Sequence, residues 1–242
     1  MDEIQIDYQT EIEELKKEYA DFIYIVSHDI KAPLRAISNL TSWIEEDLGS
    51  NASEDVLNNF KLLKNRVNRL EGMMNALLEV SRVNTIEMEL YEVNLPKLVN
   101  DSIRIIEERE NVEFHLNYYL RNESFETMGK KLQKVLFNLL ENAVRFHDKE
   151  KGNVYVEIVE KETEYEIKIR DDGPGISDSV TDKIFNIFYT ANSKDVRETI
   201  GAGLTISKKI VKMVGGKIEY FPAENKGSIF IVNWPKIIKL KN

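Results

Sequence analysis

The chain has 242 residues, enough for one large domain or two modest ones, and 42% of them are hydrophobic, so a buried core is expected. Its formal net charge of −9 disfavours a nucleic-acid surface, which needs clustered Lys and Arg. The chain has no cysteine, which excludes disulfide bonds and thiolate metal sites, and no apolar run as long as a membrane span. We expect this portion to be cytoplasmic, whether or not an upstream part anchors a longer chain in a membrane.

The first 86 residues predict two long helices. Between residues 12 and 48, apolar residues recur every third or fourth position, which is typical of an amphipathic helix. Residues 49–51 end that stripe, and Ser53 is a suitable N-cap for a second striped helix. A helical hairpin buries little apolar surface by itself, so we expect two copies to associate as a dimeric four-helix bundle.

After residue 87 the pattern becomes mixed. Helices are predicted at residues 95–108, 132–146 and 204–214, and strands at residues 112–116, 154–159, 165–169, 217–220 and 228–233. Helices and hairpin-linked strands in this order predict an α+β sandwich with helices on one face of a sheet. The expected organisation is a helical hairpin over residues 1–86, a linker over residues 87–94 and an α+β domain over residues 95–242.

One histidine lies on the polar face of the first helix. His28 lies about 200° around the helix from both Val26 and Ile30, so it faces away from the apolar stripe. An imidazole that is neutral near pH 7 is a nucleophile, and Asp29 can accept a proton from one ring nitrogen while the other attacks phosphorus. Pro33 frees the carbonyl of Asp29 and predicts a kink one turn past the histidine. The alternative is a solvated surface histidine.

Two asparagines lie one turn apart on the helix predicted at residues 132–146. Asn138 and Asn142 share a face, where their amides can hold Mg²⁺ directly or through water. Arg145 follows three residues later and can reach a phosphate. The alternative is a polar stripe on an otherwise buried helix.

Two glycine-containing segments follow. The first, residues 171–175, comes directly after a strand, where Gly173 and Gly175 let the backbone approach a flat ligand. The Asp171 carboxylate can accept a hydrogen bond from the exocyclic amine of adenine, at a position where GTP presents a carbonyl. The second, residues 201–204, opens a helix whose exposed N–H groups favour phosphate. An ordinary β-turn and a chance glycine pair are the alternatives.

An aromatic segment and a polar stretch separate these two glycine segments. Phe185, Phe188 and Tyr189 precede residues 190–199, which are a candidate lid over phosphates or else a plain loop. Four motifs in this order, each on the expected element, indicate together what none indicates alone. They predict a chain that moves phosphate from ATP onto its own histidine.

Over residues 10–238 the chain resembles the sensor histidine kinases of two-component systems. The first part is similar to their dimerisation and phosphotransfer hairpin, and the second to the ATP-binding domain that they share with gyrase and heat-shock chaperones. The resemblance implies ATP and Mg²⁺ as cofactors, phosphotransfer from the histidine to an aspartate of a response regulator, a homodimer, and an upstream sensor module.

The resemblance also implies a role for each motif residue. His28 is the phosphoacceptor and Asp29 its base or orienting group. In the nucleotide site, Asn142 is the principal Mg²⁺ ligand with Asn138 in support, and Arg145 contacts phosphate. Asp171 binds adenine in a pocket that Gly173 and Gly175 shape. The phosphate loop begins with Gly201, Gly203 and Leu204, and the aromatic motif beside the lid consists of Phe185 and Phe188.

The chain departs from the family pattern at several positions. Asn138 replaces the glutamate that activates water in the related hydrolases, which fits a kinase that hydrolyses little ATP. Thr205 and Ile200 occupy positions that are often glycine, so altered loop closure and a degenerate kinase acting as a dimeric scaffold stay open as an alternative. Ala32 replaces a Thr or Asn that positions water, which predicts weak phosphatase activity. A Ser/Thr kinase of related fold is a further alternative, against which the hairpin bearing His28 argues.

Overall fold

The computed structural model describes residues 2–49, 53–83, 89–106, 111–190, 199–224 and 226–238. The chain divides into two compact units, one built on residues 2–82 and the other on residues 83–190 and 201–238. Most of the candidate lid, residues 191–198, lies outside the described residues, as do residues 84–88 of the segment between the units. None of the described helices combines the length and the apolar character that a membrane span requires.

The first unit is a helical hairpin, as predicted. Its helices are α1 (Asp2–Leu48) and α2 (Glu54–Arg82). The N-cap prediction is confirmed, because the Ser53 Oγ accepts a hydrogen bond from the Val56 N–H at 3.4 Å. α1 runs without interruption through Pro33, and the kink stays a prediction.

The hairpin buries only a small part of its apolar stripe. Leu34, Val67 and Ala76 are buried, and Lys64 of α2 forms an ion pair with Glu45 of α1. More than a third of the surface is exposed for a long series of apolar side chains, which includes Ile12, Leu15, Phe22, Ile25, Ile37, Leu40, Trp43 and Ile44 on α1 and Leu62, Leu63 and Leu70 on α2. One copy of the hairpin therefore leaves most of its apolar surface in contact with water.

The second unit contains seven strands and three α-helices among its described residues. In chain order these are β1 (Tyr91–Asn94), α3 (Leu95–Ile106), β2 (Val112–Tyr119), β3 (Ser124–Thr127), α4 (Gly129–Arg145), β4 (Gly152–Glu160), β5 (Glu164–Asp171), α5 (Gly203–Met213), β6 (Lys217–Pro222) and β7 (Ser228–Pro235). The main sheet has the order β2-β4-β5-β7-β6. Its β2–β4 pair is parallel and its other pairs are antiparallel.

One face of this sheet carries the core. Along β4, β5 and β7 buried and partly exposed residues alternate, which places every second side chain under the helices. The fully buried side chains include Leu132, Leu136, Leu139 and Leu140 of α4, Ile158 of β4, Ile167 and Ile169 of β5, and Trp234 of β7. The Trp234 indole N–H also donates to the Thr127 hydroxyl at 2.8 Å. The predicted α+β sandwich with its helices on one face is confirmed.

A small second sheet, which the sequence does not predict, pairs the two shortest strands of the unit. β1 pairs antiparallel with β3, so that Tyr91 lies opposite Thr127 and Asn94 opposite Ser124. Residues 91–94, which the sequence places in the linker, therefore belong to the second unit. Both strands have four residues, which is too short for a clear alternation of polar and apolar side chains. The 3₁₀ helix Asp178–Lys183 was not predicted either, because six residues are too few to show a helical period.

Candidate functional site

The imidazole of His28 is open to solvent. Its side chain is 74% exposed, and Nδ1 lies 3.3 Å from the Asp29 Oδ1. The Tyr24 ring lies one turn earlier, 6.4 Å from the imidazole between centroids, and the Arg82 guanidinium lies 4.8 Å from the centre of that ring. With the proton on Nδ1 donated to Asp29, Nε2 carries the lone pair. The arrangement leaves one ring nitrogen accessible to solvent, with Tyr24 and the guanidinium that covers it on the adjacent turn.

Asn138 ties α4 to the beginning of α5. The side chain is 5% exposed, and its amide nitrogen donates to the Gly203 carbonyl at 3.0 Å and to the Ser207 hydroxyl at 3.1 Å. Because the amide nitrogen already donates to two groups of α5, Oδ1 is the atom of this side chain that can contact a ligand. Ser207 was not among the predicted site residues, although its spacing of four residues from Gly203 on a helix is a signal in the sequence.

The other two polar residues of this motif lie further along α4. Asn142 is half-buried one turn after Asn138, and Arg145 forms an ion pair with Glu141. Among the residues that the structure describes, no three His, Cys, Asp or Glu side chains come together as a metal site. Asn138 and Asn142 carry amide oxygens, a ligand type that suits Mg²⁺, which prefers oxygen and keeps several waters or phosphate oxygens.

The Asp171 carboxylate organises the loop that follows β5. It is 8% exposed, and its Oδ1 accepts hydrogen bonds from the Gly173 N–H at 2.9 Å and the Ser228 N–H at 3.1 Å. Burial raises the pKa of Asp171 above its ordinary value, and the two backbone hydrogen bonds oppose that rise. A Cβ on residue 173 would lie 3.0 Å from this Oδ1 and 3.3 Å from the His147 Cα, closer than most side chains approach, so the turn favours glycine.

The neighbouring carboxylate, Asp172, is held by the beginning of β4. It accepts hydrogen bonds from the Asn153 N–H at 2.8 Å, from the Asn153 amide at 3.0 Å and from the Lys149 Nζ at 2.8 Å. Burial would raise the pKa of Asp172, but these bonds outweigh it and lower the pKa to about 2. The carboxylate thus stays ionised and fixes the loop to β4. The sequence contains no signal for these partners, because strand pairing brings them together.

The ends of the candidate lid are joined through their backbones. The Phe188 N–H donates to the Gly201 carbonyl at 2.8 Å. Gly201 has a φ of +71°, and a Cβ there would collide with the Tyr189 carbonyl. Phe188 has a φ of +64°, in the left-handed region, where a residue with a side chain is strained by about 1–2 kcal/mol. Gly175 also has a positive φ, +78°.

The N-terminus of α5 can receive an anion. Ala202 occupies the N-cap position and provides no side-chain hydrogen bond to the first turn. The N–H groups of Gly203 and Leu204 therefore lie at a positive helix end without a capping side chain, which is the common geometry of a phosphate site. The Asn138 contact places this end of α5 directly beside α4. The structure thus brings Asn138, Gly203, Phe188 and Gly201 together within the second unit.

Two family models match the chain. Residues 18–86 match the model described as "His Kinase A (phospho-acceptor) domain", and residues 128–238 match "Histidine kinase-, DNA gyrase B-, and HSP90-like ATPase". A curated relative, cyanobacterial phytochrome B of Nostoc sp. strain PCC 7120, is 30% identical over 230 residues, which cover 91% of this chain and 30% of that protein. The chain spans between 24% and 39% of the length of this and three other curated relatives that it matches.

Solved structures share the fold. The catalytic domain of histidine kinase ThkA is 30% identical, with a TM-score of 0.53, and the match covers 62% of this chain and 97% of that one. Histidine kinase ThkA in complex with response regulator protein TrrA matches with a TM-score of 0.66 at 24% identity, over 95% of this chain and 66% of that one. At that identity the second likeness shows the fold alone.

Proposed function

Because the chain belongs to the histidine kinases of two-component systems, we propose that it transfers the γ-phosphoryl group of ATP to His28 and then to an aspartate of a response regulator. The observation that carries this proposal is the exposed imidazole whose Nδ1 is held by Asp29. A carboxylate can only accept a hydrogen bond, so this contact favours the proton on Nδ1 and leaves Nε2 as the attacking atom.

The nucleotide site has a group for each part of ATP. Asp171 is the acceptor for the adenine amine, and Gly173 and Gly175 let the ring approach the backbone. The N–H groups of Gly203 and Leu204 receive phosphate oxygens, with Arg145 in support. Asn142 and Asn138 would hold Mg²⁺, which neutralises phosphate charge when bound. Support for these roles comes from the buried carboxylate and the uncapped helix end described above.

The proposed reaction has two transfers. The Nε2 lone pair of His28 forms a bond to the γ-phosphorus as the bond to the bridging oxygen breaks and ADP leaves. Asp29 stabilises the positive charge that develops on the ring through its contact with Nδ1. A carboxylate oxygen of the regulator then attacks phosphorus and regenerates the imidazole. The protein contributes chiefly positioning and charge neutralisation.

The proposed partners follow from the surface of the hairpin and from the family. A second copy would cover the exposed apolar stripe of α1 and α2, which supports a homodimer through a four-helix bundle. The response regulator receives the phosphoryl group, an upstream module supplies the signal, and this portion works in the cytoplasm. Ala32, exposed on α1, has no group that could position water, so we expect weak phosphatase activity.

The test is incubation with γ-labelled ATP and Mg²⁺. His28→Gln should take up no label, whereas wild type should carry label that is lost in acid and kept in alkali. His115→Gln is the matched control, because this imidazole stacks on Tyr155 in the sheet, and it should be labelled like wild type. Acid-stable label on both wild type and His28→Gln would indicate a Ser/Thr kinase instead. No label on any protein despite nucleotide binding would indicate a degenerate kinase.

A further inference from the structure

Two hydrogen bonds join the aromatic segment, residues 184–189, to the beginning of α5. The Phe188 N–H donates to the Gly201 carbonyl at 2.8 Å, and the Thr205 hydroxyl donates to the Phe185 carbonyl at 2.9 Å. A helical threonine commonly bonds the carbonyl four residues earlier, which here belongs to Gly201. Here the Gly201 carbonyl accepts the Phe188 N–H, and the Thr205 hydroxyl donates to the aromatic segment.

Phe185 is held by a second residue of α5 as well. The Lys208 Nζ lies 4.8 Å from the centre of the Phe185 ring, within the range of a cation–π interaction. Thr205 and Lys208 are three residues apart and share one face of the helix. One of them holds the main chain of Phe185 and the other holds its ring. The aromatic segment is therefore fixed to the same helix whose first N–H groups form the candidate phosphate site.

The backbone of this segment needs such anchoring. Phe188 has a φ of +64°, a strained conformation that persists only where its surroundings hold it. Its own N–H is fixed to Gly201, and three residues earlier the Phe185 carbonyl is fixed to Thr205. Removing the second bond would let the segment relax and would shift Gly201, which directly precedes the N-terminus of α5.

We infer that Thr205 is a positioning residue for the phosphates of the nucleotide. Its hydroxyl holds the Phe185 carbonyl and thereby fixes the aromatic segment against the N-terminus of α5, where the phosphates would bind. The inference rests on the proposed nucleotide site. A glycine, which the family resemblance leads one to expect at this position, could not form this bond, so the link is a property of this chain.

The experiment compares Thr205→Val, Thr205→Ser and Thr181→Val by titration with a non-hydrolysable ATP analogue and with adenosine. Thr205→Val removes the hydroxyl at nearly constant volume and should weaken binding of the ATP analogue about fivefold, which corresponds to about 1 kcal/mol, with adenosine unaffected. Thr205→Ser keeps a hydroxyl and should restore wild-type affinity. Thr181→Val is the matched control, since this hydroxyl bonds only locally, to the Asp178 carbonyl at 3.0 Å, and should change neither affinity.

Three results would overturn the inference. The first is unchanged affinity of Thr205→Val for the ATP analogue. The second is an equal loss for both ligands with a lowered melting temperature, which would mean that the hydroxyl only supports the fold. The third is wild type that binds no adenine nucleotide, which would refute the proposed function too. A selective loss of ATP-analogue affinity in a protein that never labels His28 would support the positioning role of Thr205 and refute the kinase proposal.

Discussion

Replacing Asp172 with asparagine tests the hydrogen-bond network that fixes the loop after β5, residues 171–175, to β4. The carboxylate accepts hydrogen bonds from Asn153 and Lys149, and its pKa falls from the ordinary 3.8 to about 2. At about 1.36 kcal/mol per unit, this difference corresponds to about 2 kcal/mol. Screening at the partly exposed Lys149 reduces it to ~1–2 kcal/mol. An asparagine could keep the bond from the Asn153 N–H but would turn an N–H₂ group towards Lys149 or the Asn153 amide.

The lowered pKa of Asp172 determines how the stability difference between Asp172→Asn and wild type changes with pH. A carboxylate whose pKa is lowered by folding stabilises the protein above its unfolded pKa, and that contribution is lost as the pH falls through the folded pKa. We therefore expect Asp172→Asn to be less stable than wild type by ~1–2 kcal/mol at pH 7 and pH 5. The difference should shrink between pH 4 and about 2, the interval set by the pKa of Asp172.

Urea unfolding at several pH values provides the measurement. Trp234 is fully buried in the second unit, so in a Trp43→Phe background, where it is the one remaining tryptophan, the blue-shifted emission reports unfolding of that unit. Asp182→Asn serves as the matched control, because Asp182 is an exposed residue of the 3₁₀ helix. A stability difference for Asp172→Asn that stays constant from pH 7 to pH 3, or that equals the control, would refute this account of the network.

The remaining predictions concern glycine, threonine and alanine positions. Gly201→Ala should be less stable in urea than Gly215→Ala by at least ~1 kcal/mol, since both have positive φ but only residue 201 faces a backbone clash; equal losses would contradict this. Thr127→Val should cost about 1–3 kcal/mol by circular dichroism, because it leaves the buried Trp234 N–H unpaired; a neutral result would refute the role of that bond. Ala32→Thr should raise the rate at which the phosphorylated regulator is dephosphorylated, and no gain would reject the explanation for weak phosphatase activity.

The hairpin was the most predictable part of the fold, because its signal is local and repeated over many turns. The 3.6-residue period of apolar side chains predicted both helices, and the polar residue at 53 predicted where α2 begins. The strands of the main sheet were predictable for the same reason, since β4 and β5 alternate over eight or nine residues. β1 and β3 have only four residues each, so their pairing was not visible before the chain was folded.

The chemical groups of this protein and their order are already visible along the chain: an imidazole beside a carboxylate, two amides one helical turn apart, a carboxylate before a glycine turn, and a glycine-rich helix start. What holds those groups in place depends on tertiary contacts. Asn138 bonds Ser207 across 69 positions, Asp171 accepts from Ser228 across 57, and Thr205 reaches Phe185 across 20. Such bonds depend on which strands pair and which helices pack, and that is settled by burying the whole core rather than by any local pattern.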